Sequence, residues 1–423
     1  MNRPRRLSPD VARPDERREK LAAWRHRKMT LSAHAFVRGN ARLFYEVVAS
    51  RLSGSLPSGP HIWISADCHG ENIGAVADPR GRAKLKMNDF DETTIGEPIL
   101  DLVRLALSLA MAGRASGLGG LDIAHLLDGL VHGYCAELEA RRAGADMPIV
   151  SPPRFRKLLK RAGEQTRTAL FDHRVPRGPS GDRAFAYSAR YWPLTDEERE
   201  ALMALVSLPE VRHLVTTLVG ADPELPVDAV DAAFRIAGTA SLGAWRAAIL
   251  VHVGNSKKRK YGDETLRLID VKEALPSSAP RVPGSRTPED DAARITSGAL
   301  VLSPSIGGRM LPAQVLKRRV VVRELLPQDL KASLARLESD ECEAVGHHLG
   351  AVIGRAHARQ LTPADAASWK NVVSGSAHER VGPPRWLWDA LVELVAVHEP
   401  AYLRHCAEEP STTDGVDPSV SSV

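Results

Sequence analysis

Two short polar clusters, each at the end of a β-rich run, constrain the fold of this 423-residue chain more than any other feature. The first, Ser65-Ala66-Asp67-Cys68-His69-Gly70-Glu71-Asn72, comes at the end of residues 61–66. The second, Asn88-Asp89-Phe90-Asp91-Glu92, comes at the end of residues 84–88. A turn at residues 78–81 separates the two runs, which predicts a hairpin-like pair with polar side chains at both exits. We therefore expect the two clusters to contribute to one site.

The residue types in these clusters fit the requirements of phosphoryl transfer. That reaction needs a carboxylate that orients or deprotonates the acceptor hydroxyl, together with Asn and Asp ligands for Mg²⁺ on the phosphates. Asp67, Asn72 and Asp89 are the candidate catalytic residues, and Asn72 and Asp89 are the candidate metal ligands. Asn72 follows Asp67 by five residues, the interval found in the kinase catalytic loop. Since Asp and Asn are also common turn residues, capping of turns is the alternative role.

His69 lies in the same loop and has three candidate roles, which are to fold the loop, to orient Asp67 or to bind metal. The structural role is preferred.

A glycine-rich segment in the second half of the chain is a candidate phosphate-binding flap. Residues 234–237, 245–253 and 265–273 are predicted to form successive strands of a small antiparallel sheet. The segment Gly238-Thr239-Ala240-Ser241-Leu242-Gly243 lies between the first two strands. Its candidate nucleotide-binding residues are Gly238, Ser241 and Gly243.

Lys272, at the end of the third predicted strand, is the candidate contact for the α and β phosphates. An ordinary strand lysine is the alternative. A partner carboxylate is expected from the helix predicted over residues 288–302, where Glu289, Asp290 and Asp291 compete and Glu289 is preferred. The strand predicted at residues 319–325 would form the hinge side of an adenine pocket.

The D-x-H-x-x-N pattern, followed by an Asp-Phe dipeptide, resembles the catalytic and metal loops of aminoglycoside and choline phosphotransferases. The stretch Glu97-Pro98-Ile99-Leu100-Asp101-Leu102 is similar to the one in which a further Asp braces their catalytic loop. Asp101 is therefore expected to support the Asp67 loop, a role compatible with capping a helix. These families usually carry Gly before the catalytic Asp, where this chain has Ala66.

The chain resembles even more closely an uncharacterised bacterial family, domain of unknown function 2252, over roughly residues 25 to 405. This resemblance runs from Met29-Thr30-Leu31-Ser32 and Phe36-Val37-Arg38-Gly39 through to His357-Ala358-Arg359. Arg38 is a candidate phosphate contact, with a salt bridge to the body of the protein as the preferred alternative.

These resemblances imply a two-lobed α+β fold of the protein-kinase-like type, with a small antiparallel β lobe and a large helical lobe. The implied cofactors are ATP and Mg²⁺. Because the glycine flap and Lys272 follow Asp67 and Asp89 in sequence, the arrangement is expected to be circularly permuted relative to an ordinary kinase. Permutation leaves a site unchanged when the original chain ends lie close together at the surface.

The predicted domain boundaries follow composition and periodicity. A basic, disordered tail is expected over residues 1–24, and the catalytic loop and a helical lobe over residues 25–230. A β-rich nucleotide-binding lobe is expected over residues 231–330, with residues 331–407 returning to the helical lobe and residues 408–423 forming a second disordered tail.

Composition narrows the choice of partners. The formal net charge of +5 is concentrated near the start, because residues 1–28 carry ten Lys/Arg and four Asp/Glu. A solubilising extension is preferred over a nucleic-acid-binding one. The chain has neither an apolar run near the length of a membrane helix nor a secretory h-region, so a cytoplasmic protein without a membrane partner is expected. The expected partners are a nucleotide and an acceptor, either a small molecule or a protein.

Two other classes of function remain open. Asp67-x-His69-Gly70 after a strand is also how binuclear metallophosphoesterases begin, although their later G-N-H motif does not occur in this sequence. A kinase-like nucleotidyltransferase, or a pseudokinase that only binds nucleotide, would use the same residues as a kinase.

Overall fold

The computed structural model describes residues 10–78, 81–145, 148–178, 181–217, 225–238, 242–254, 262–375 and 382–408. Within these ranges helices predominate, and the strands form one larger and two small antiparallel sheets. The predicted α+β class is therefore confirmed. None of the helices in the described ranges combines the length and apolarity needed to cross a bilayer.

Helices α1 to α14 span Arg17–Thr30, Ala33–Gly39, Ala41–Arg51, Ile99–Ala115, Gly120–Ala143, Pro153–Glu164, Arg167–Arg174, Asp196–Val206, Pro209–Thr217, Asp291–Leu302, Pro304–Gly307, Cys342–Ala358, Pro363–Ser374 and Arg385–Ala407. Several of these helices begin after a residue whose side chain accepts a hydrogen bond from a backbone amide of the first turn, as N-cap residues do. Ser32 caps α2, Asn40 caps α3, and Thr195 forms a capping box with Glu198 at α8.

Strands β1 to β11 span Ile62–Ile64, Ile73–Ala77, Ala83–Met87, Thr94–Gly96, Tyr191–Trp192, Val227–Arg235, Arg246–Val253, Leu266–Glu273, Met310–Val315, Arg318–Glu324 and Leu330–Lys331. The large sheet has the order β5-β6-β7-β8-β10-β9. The small sheets are β11-β2-β3 and β1-β4.

The large sheet presents two different faces, because successive side chains of a strand point in opposite directions. Apolar side chains on one face pack against α1, α8 and α9. On the other face, Phe171 of α7 packs against apolar residues of β6, β7 and β8. Beyond the area that α7 covers, this second face carries a row of charged side chains on four neighbouring strands, namely Arg235, Arg246, Asp270, Lys272 and Arg323.

The helical body is built around α4, α5 and α12. Helix α4 is buried on almost every side, which explains its apolar sequence. Helices α5 and α12 approach each other through glycines, since a Cβ at Gly133 would overlap the carbonyl oxygen of His347. Reciprocally, a Cβ at Gly350 of α12 would overlap the carbonyl oxygen of Leu130. The lack of a side chain at these positions allows the two backbones to touch.

The structure corrects the predicted hairpin between residues 61–66 and 84–88. Strand β1 pairs with β4, so that Trp63 lies opposite Ile95, while β3 pairs with β2 across the predicted turn. The sequence did not reveal β2 because its Ile-Gly-Ala-Val-Ala composition contains residues that are depleted in strands.

The predicted tail over residues 1–24 is also wrong in the part that the structure describes. Helix α1 begins at Arg17, whose Nη1 lies 2.9 Å from the Glu198 carboxylate, with both side chains buried. Leu21 and Trp24 pack into the core beneath the large sheet. The high charge of this segment masks a helix with one buried stripe. Residues 1–9 and 409–423 lie outside the described residues.

Candidate functional site

A cleft of about 1030 Å³ lies beside the charged face of the large sheet. Its other walls come from the loop at residues 88–91, from helices α1, α6 and α7, and from the segment around Lys331. Eleven Lys or Arg and five Asp or Glu side chains line it. The cleft therefore favours anionic ligands.

Lys272 meets the 88–92 loop inside this cleft. Its Nζ bonds to the Asp91 carboxylate, across a separation of 181 residues in sequence. Asp91 N lies 3.5 Å from Asp89 Oδ1, and the charge of Lys272 acts to lower the pKa of both carboxyls. Burial alone would raise the pKa of Asp89, but the charges of Lys272, Lys331 and Arg246 bring that pKa below its ordinary value. Burial and the neighbouring Asp89 charge raise the pKa of Asp91.

The expected pairing of Lys272 with Glu289 is wrong. Glu289 is exposed ahead of α10, and the 88–92 loop itself supplies the carboxylate that bonds to the lysine. The competing residues are also engaged elsewhere. Asp290 Oδ1 accepts a hydrogen bond from Ala293 N at 2.9 Å as the N-cap of α10, and Asp291 pairs with Arg294 at 2.9 Å.

Helix α10 nevertheless supports the 88–92 loop through the buried Arg294. Arg294 Nη1 donates to the carbonyl oxygens of Asp91 and Thr93, at 2.9 and 2.6 Å. Arg294 Nη2 donates to the carbonyl oxygen of Leu275 at 2.8 Å. One guanidinium thus fixes the acidic loop to the segment that follows β8, the strand that carries Lys272.

Asp67 lies in the interior, and neither it nor Asn72 is among the residues that line the cleft, although the two polar clusters were expected to contribute to one site. Only 7% of Asp67 is exposed, and Arg104 Nε donates to its Oδ1 at 2.9 Å. Asn72 Nδ2 donates to the Asp67 carbonyl oxygen at 2.8 Å. Burial raises the pKa of the Asp67 carboxyl despite the opposing charge of Arg104. His69 Nε2 lies 3.8 Å from Asp67 Oδ2.

The two polar clusters are joined through their backbones, because Asn88 N donates to the carbonyl oxygen of Asn72 at 2.9 Å.

Asp101 sits below the Asp67 loop and accepts hydrogen bonds from the backbone amides of Ser65 and Ala66, both at 2.8 Å. Ala66 has φ of 62°, a left-handed conformation that favours glycine. The Tyr45 hydroxyl donates to the Ala66 carbonyl oxygen at 2.6 Å. The strained turn before Asp67 is therefore held from both its amide and its carbonyl sides.

A line of hydrogen bonds continues from Asp101 into the helical body. His357 Nε2 lies 3.1 Å from Asp101 Oδ2, and His357 Nδ1 lies 3.1 Å from the Tyr134 hydroxyl. That hydroxyl accepts a hydrogen bond from Trp369 Nε1 at 2.9 Å. Helices α4, α12, α5 and α13 thus jointly position the turn before Asp67.

Two of the remaining predicted residues, Arg38 and Gly238, line the cleft. Arg38 lines it and forms a salt bridge with Glu71. Gly238 also lines the cleft, has φ of 84°, and accepts a hydrogen bond from Lys28 Nζ at 3.1 Å through its carbonyl oxygen. Gly243 has φ of 111°, and Ser241 lies outside the described residues.

Sequence reasoning missed the arginines around Asp270. Arg235 and Arg246 both bond to this carboxylate, with Arg246 Nε 2.8 Å from Asp270 Oδ1. Burial would raise the pKa of Asp270, but the two guanidinium charges lower it well below its ordinary value. The available signal was the alternation on β8, which places Asp270 and Lys272 on the same face of an otherwise apolar strand.

The fold and site define an α+β protein with a charged cleft, which lies between the large antiparallel sheet and the loops that carry Glu71 and residues 88–91. The chain belongs to the family described as uncharacterized protein conserved in bacteria, domain of unknown function 2252, which it matches over residues 17–408. The predicted family is therefore confirmed, and the match includes α1. No curated protein and no solved structure matches the chain.

Proposed function

We propose that this protein is an ATP- and Mg²⁺-dependent phosphotransferase with a circularly permuted, kinase-like arrangement. The observation that carries the proposal is the meeting of Lys272 with Asp89 and Asp91 in one cleft. These residues are far apart in the sequence, so chain connectivity does not explain their contact. A kinase-like site would explain it, because its lysine and its metal ligands bind the same phosphates. The glycine-containing connection between β6 and β7 adds support, since Gly238 borders the same cleft.

The side chains of the cleft suit the proposed ligands. Asp89 keeps an ionised carboxylate, and Mg²⁺ prefers oxygen ligands of this kind. Asp89 and Asn72 would hold the metal ion, which neutralises charge on the phosphates. Lys272 would bind the phosphates, and Arg246 beside it adds positive charge.

Asp67 is the proposed base for the acceptor hydroxyl. Its raised pKa brings the carboxyl closer to the range in which a base works. Arg104 bonds to Oδ1 and leaves Oδ2 for the acceptor. The role requires that the acceptor reach Asp67 from the cleft, so the 67–72 loop must admit it.

The binuclear metallophosphoesterase has less support. Its first metal ion would bind Asp67 and His69, but the positively charged Arg104 already forms a salt bridge with Asp67. Burial, together with Arg38 and Arg104, lowers the pKa of His69 well below its ordinary value, which reflects a surrounding that repels cations. No group of three or more His, Cys, Asp or Glu in the described ranges is arranged to hold a metal ion.

The test combines ligand-induced stabilisation with product analysis. ATP with Mg²⁺, at about 100 times its Kd, should raise the melting temperature of the wild type by a few degrees. Asp89→Asn should remove most of the dependence on Mg²⁺, whereas the exposed control Asp15→Asn should not. An equal Mg²⁺-dependent shift in wild type and Asp89→Asn contradicts the proposal.

Turnover separates phosphoryl from nucleotidyl transfer. Release of ADP indicates a phosphotransferase, and release of pyrophosphate indicates transfer of AMP. Asp67→Ala should lower turnover by orders of magnitude and leave the affinity for ATP nearly unchanged. Loss of ATP binding with retained turnover would show that the role of Asp67 is misassigned.

A further inference from the structure

The positive charge of the cleft is not confined to the region of Lys272. A second group of cations lies two strands away, where Arg235 of β6, Arg174 of α7 and Arg190 all line the cleft. Because β7 lies between β6 and β8 and neighbouring strands are about 4.8 Å apart, roughly 10 Å separates the two groups. The two regions are far enough apart to hold different chemical groups.

Arg174 is the unusual member of this second group. Its Nε is buried without a hydrogen-bond partner, and no hydrogen bond or salt bridge joins its guanidinium to any described residue. Burial lowers its pKa to about 10, and the neighbouring Arg235, Arg190 and Arg246 contribute to that shift. Within the part of the chain that the structure describes, the salt bridge of this cluster runs from Arg235 to Asp270, and that carboxylate is shared with Arg246. A half-buried cation without a counter-ion costs free energy unless a ligand supplies the negative charge.

Other polar groups lie close to Arg174. The Tyr191 hydroxyl, which affects the pKa of Arg174, is buried and has no hydrogen-bond partner among the described residues, but it does not line the cleft. Arg190 Nη1 lies 2.7 Å from His173 Nε2. Burial and the charges of Arg190 and Arg174 lower the pKa of His173, so its imidazole stays neutral near pH 7 and accepts this bond. Arg174, Arg190 and Arg235 thus line the same end of the cleft, and Arg174 keeps a donor that no described residue uses.

We infer that Arg174, Arg190 and Arg235 form an anion-binding subsite that takes a phosphate or carboxylate group of the acceptor substrate. The assignment of this subsite to the acceptor rests on the proposed function, whereas the binding of an anion there does not. The cleft volume of about 1030 Å³ exceeds the roughly 300–1,000 Å³ of most ligand pockets. It therefore has room for a nucleotide at Lys272 and an anionic acceptor at this subsite.

Calorimetric titration of the full-length chain with inorganic phosphate tests the subsite. Lys272→Met serves as the background, because it weakens phosphate binding at the nucleotide end. Adding Arg174→Met should weaken phosphate binding at least tenfold, and Arg174→Lys should weaken it less. The matched control is Arg161→Met, which removes a charge from an exposed lining residue and should change the Kd less than about threefold.

Two further measurements fix the assignment. Arg174→Met, in the otherwise wild-type chain, should leave the Kd for ATP with Mg²⁺ within about twofold. It should also leave the ligand-free melting temperature unchanged or higher, since the variant removes a half-buried cation that has no partner among the described residues.

The subsite is overturned if phosphate does not bind in the Lys272→Met background at millimolar concentration, or if Arg174→Met and Arg161→Met weaken binding equally. A lower ligand-free melting temperature for Arg174→Met would assign this arginine a structural role instead. Equal losses of phosphate and ATP affinity would assign the subsite to the nucleotide and overturn the acceptor. If ATP does not bind the wild type but Arg174→Met abolishes phosphate binding, the proposed function fails and the anion site stands.

Discussion

Arg104 makes a carboxylate at position 67 tolerable inside the protein. The arginine is completely buried on α4, and its Nη2 also donates to the Val37 carbonyl oxygen at 2.7 Å. A buried ion pair contributes little net stability, but removing one partner leaves the other charge without compensation. The sequence shows Arg104 only as an interruption of an apolar helix, so its pairing with Asp67 depends on how α4 lies against the loop.

Arg104→Met should destabilise the protein by about 3 kcal/mol, because Asp67 would remain buried without its counter-ion. The loss of that charge raises the folded-state pKa of Asp67 further above its unfolded value. A group with a raised folded pKa loses its stabilising contribution as pH rises through that pKa. The destabilisation should therefore be larger at pH 8 than at pH 5 in urea unfolding experiments. Arg114→Met, on the half-exposed side of the same helix, is the control, and a pH-independent loss would contradict the pairing.

Substitution of Asp91 and of Glu289 tests which of the two carboxylates forms the ion pair with Lys272. If the protein is a phosphotransferase, Asp91→Asn should lower kcat/KM about 10- to 100-fold through the loss of a charge-assisted hydrogen bond. Glu289→Gln removes an exposed carboxylate and should have no effect. Equal effects, measured by steady-state kinetics, would indicate that Lys272 changes its partner when nucleotide binds.

At the scale of elements, periodicity predicted most of the sheet that carries Lys272. Strands β7, β8 and β10 lie within one residue of the predicted ranges, because their runs of Val, Ile and Leu are typical of buried strands. The sequence could not predict which strands pair, since β1 joins β4 through contacts that depend on the surrounding helices. It also could not predict which two helices touch at their backbones.

The contact between α5 and α12 depends on glycine at defined positions. Gly350→Ala should destabilise the protein by about 2 kcal/mol, since the new methyl group would overlap the Leu130 carbonyl oxygen and the backbone must move. Gly163→Ala is the matched control, because Gly163 lies on α6 with open space around it. That control should be neutral or stabilising by about 0.5 kcal/mol, as expected for a helix. Equal signs in denaturant unfolding would refute close packing of α5 and α12.

At the scale of the whole molecule, the clearest error concerns where the folded body begins. Helix α1 covers the large sheet, and Arg17 joins it to Glu198 of α8. Arg17→Met should cost about 2 kcal/mol through the loss of buried charge-assisted hydrogen bonds. Arg18→Met, at an exposed position of the same helix, should cost almost nothing. Indistinguishable melting curves for the two variants would indicate that this segment does not pack against the folded body.

The assembly of the cleft is the part of the molecule that sequence reasoning reached least. Asp89 and Lys272 were identified from local patterns, and the shared cleft follows from the way the large sheet lies over the 88–92 loop. Arg174 and Arg190 carry no motif, since each becomes notable only beside Arg235. The spacing of residues in the sequence predicts local chemistry, whereas tertiary packing decides which side chains become neighbours.

The line of hydrogen bonds from the Asp67 turn ends at an indole, and this gives the protein an optical reporter of its own. Trp369 is buried on α13 and its Nε1 donates to the Tyr134 hydroxyl, so we expect its emission to change when that bond is disturbed. A rearrangement of the 65–72 loop that shifts Asp101 and His357 will disturb that bond. The chain contains seven tryptophans, so the signal is the difference in fluorescence between the wild type and Trp369→Phe. Stopped-flow recording of that difference would time such a rearrangement without any attached dye.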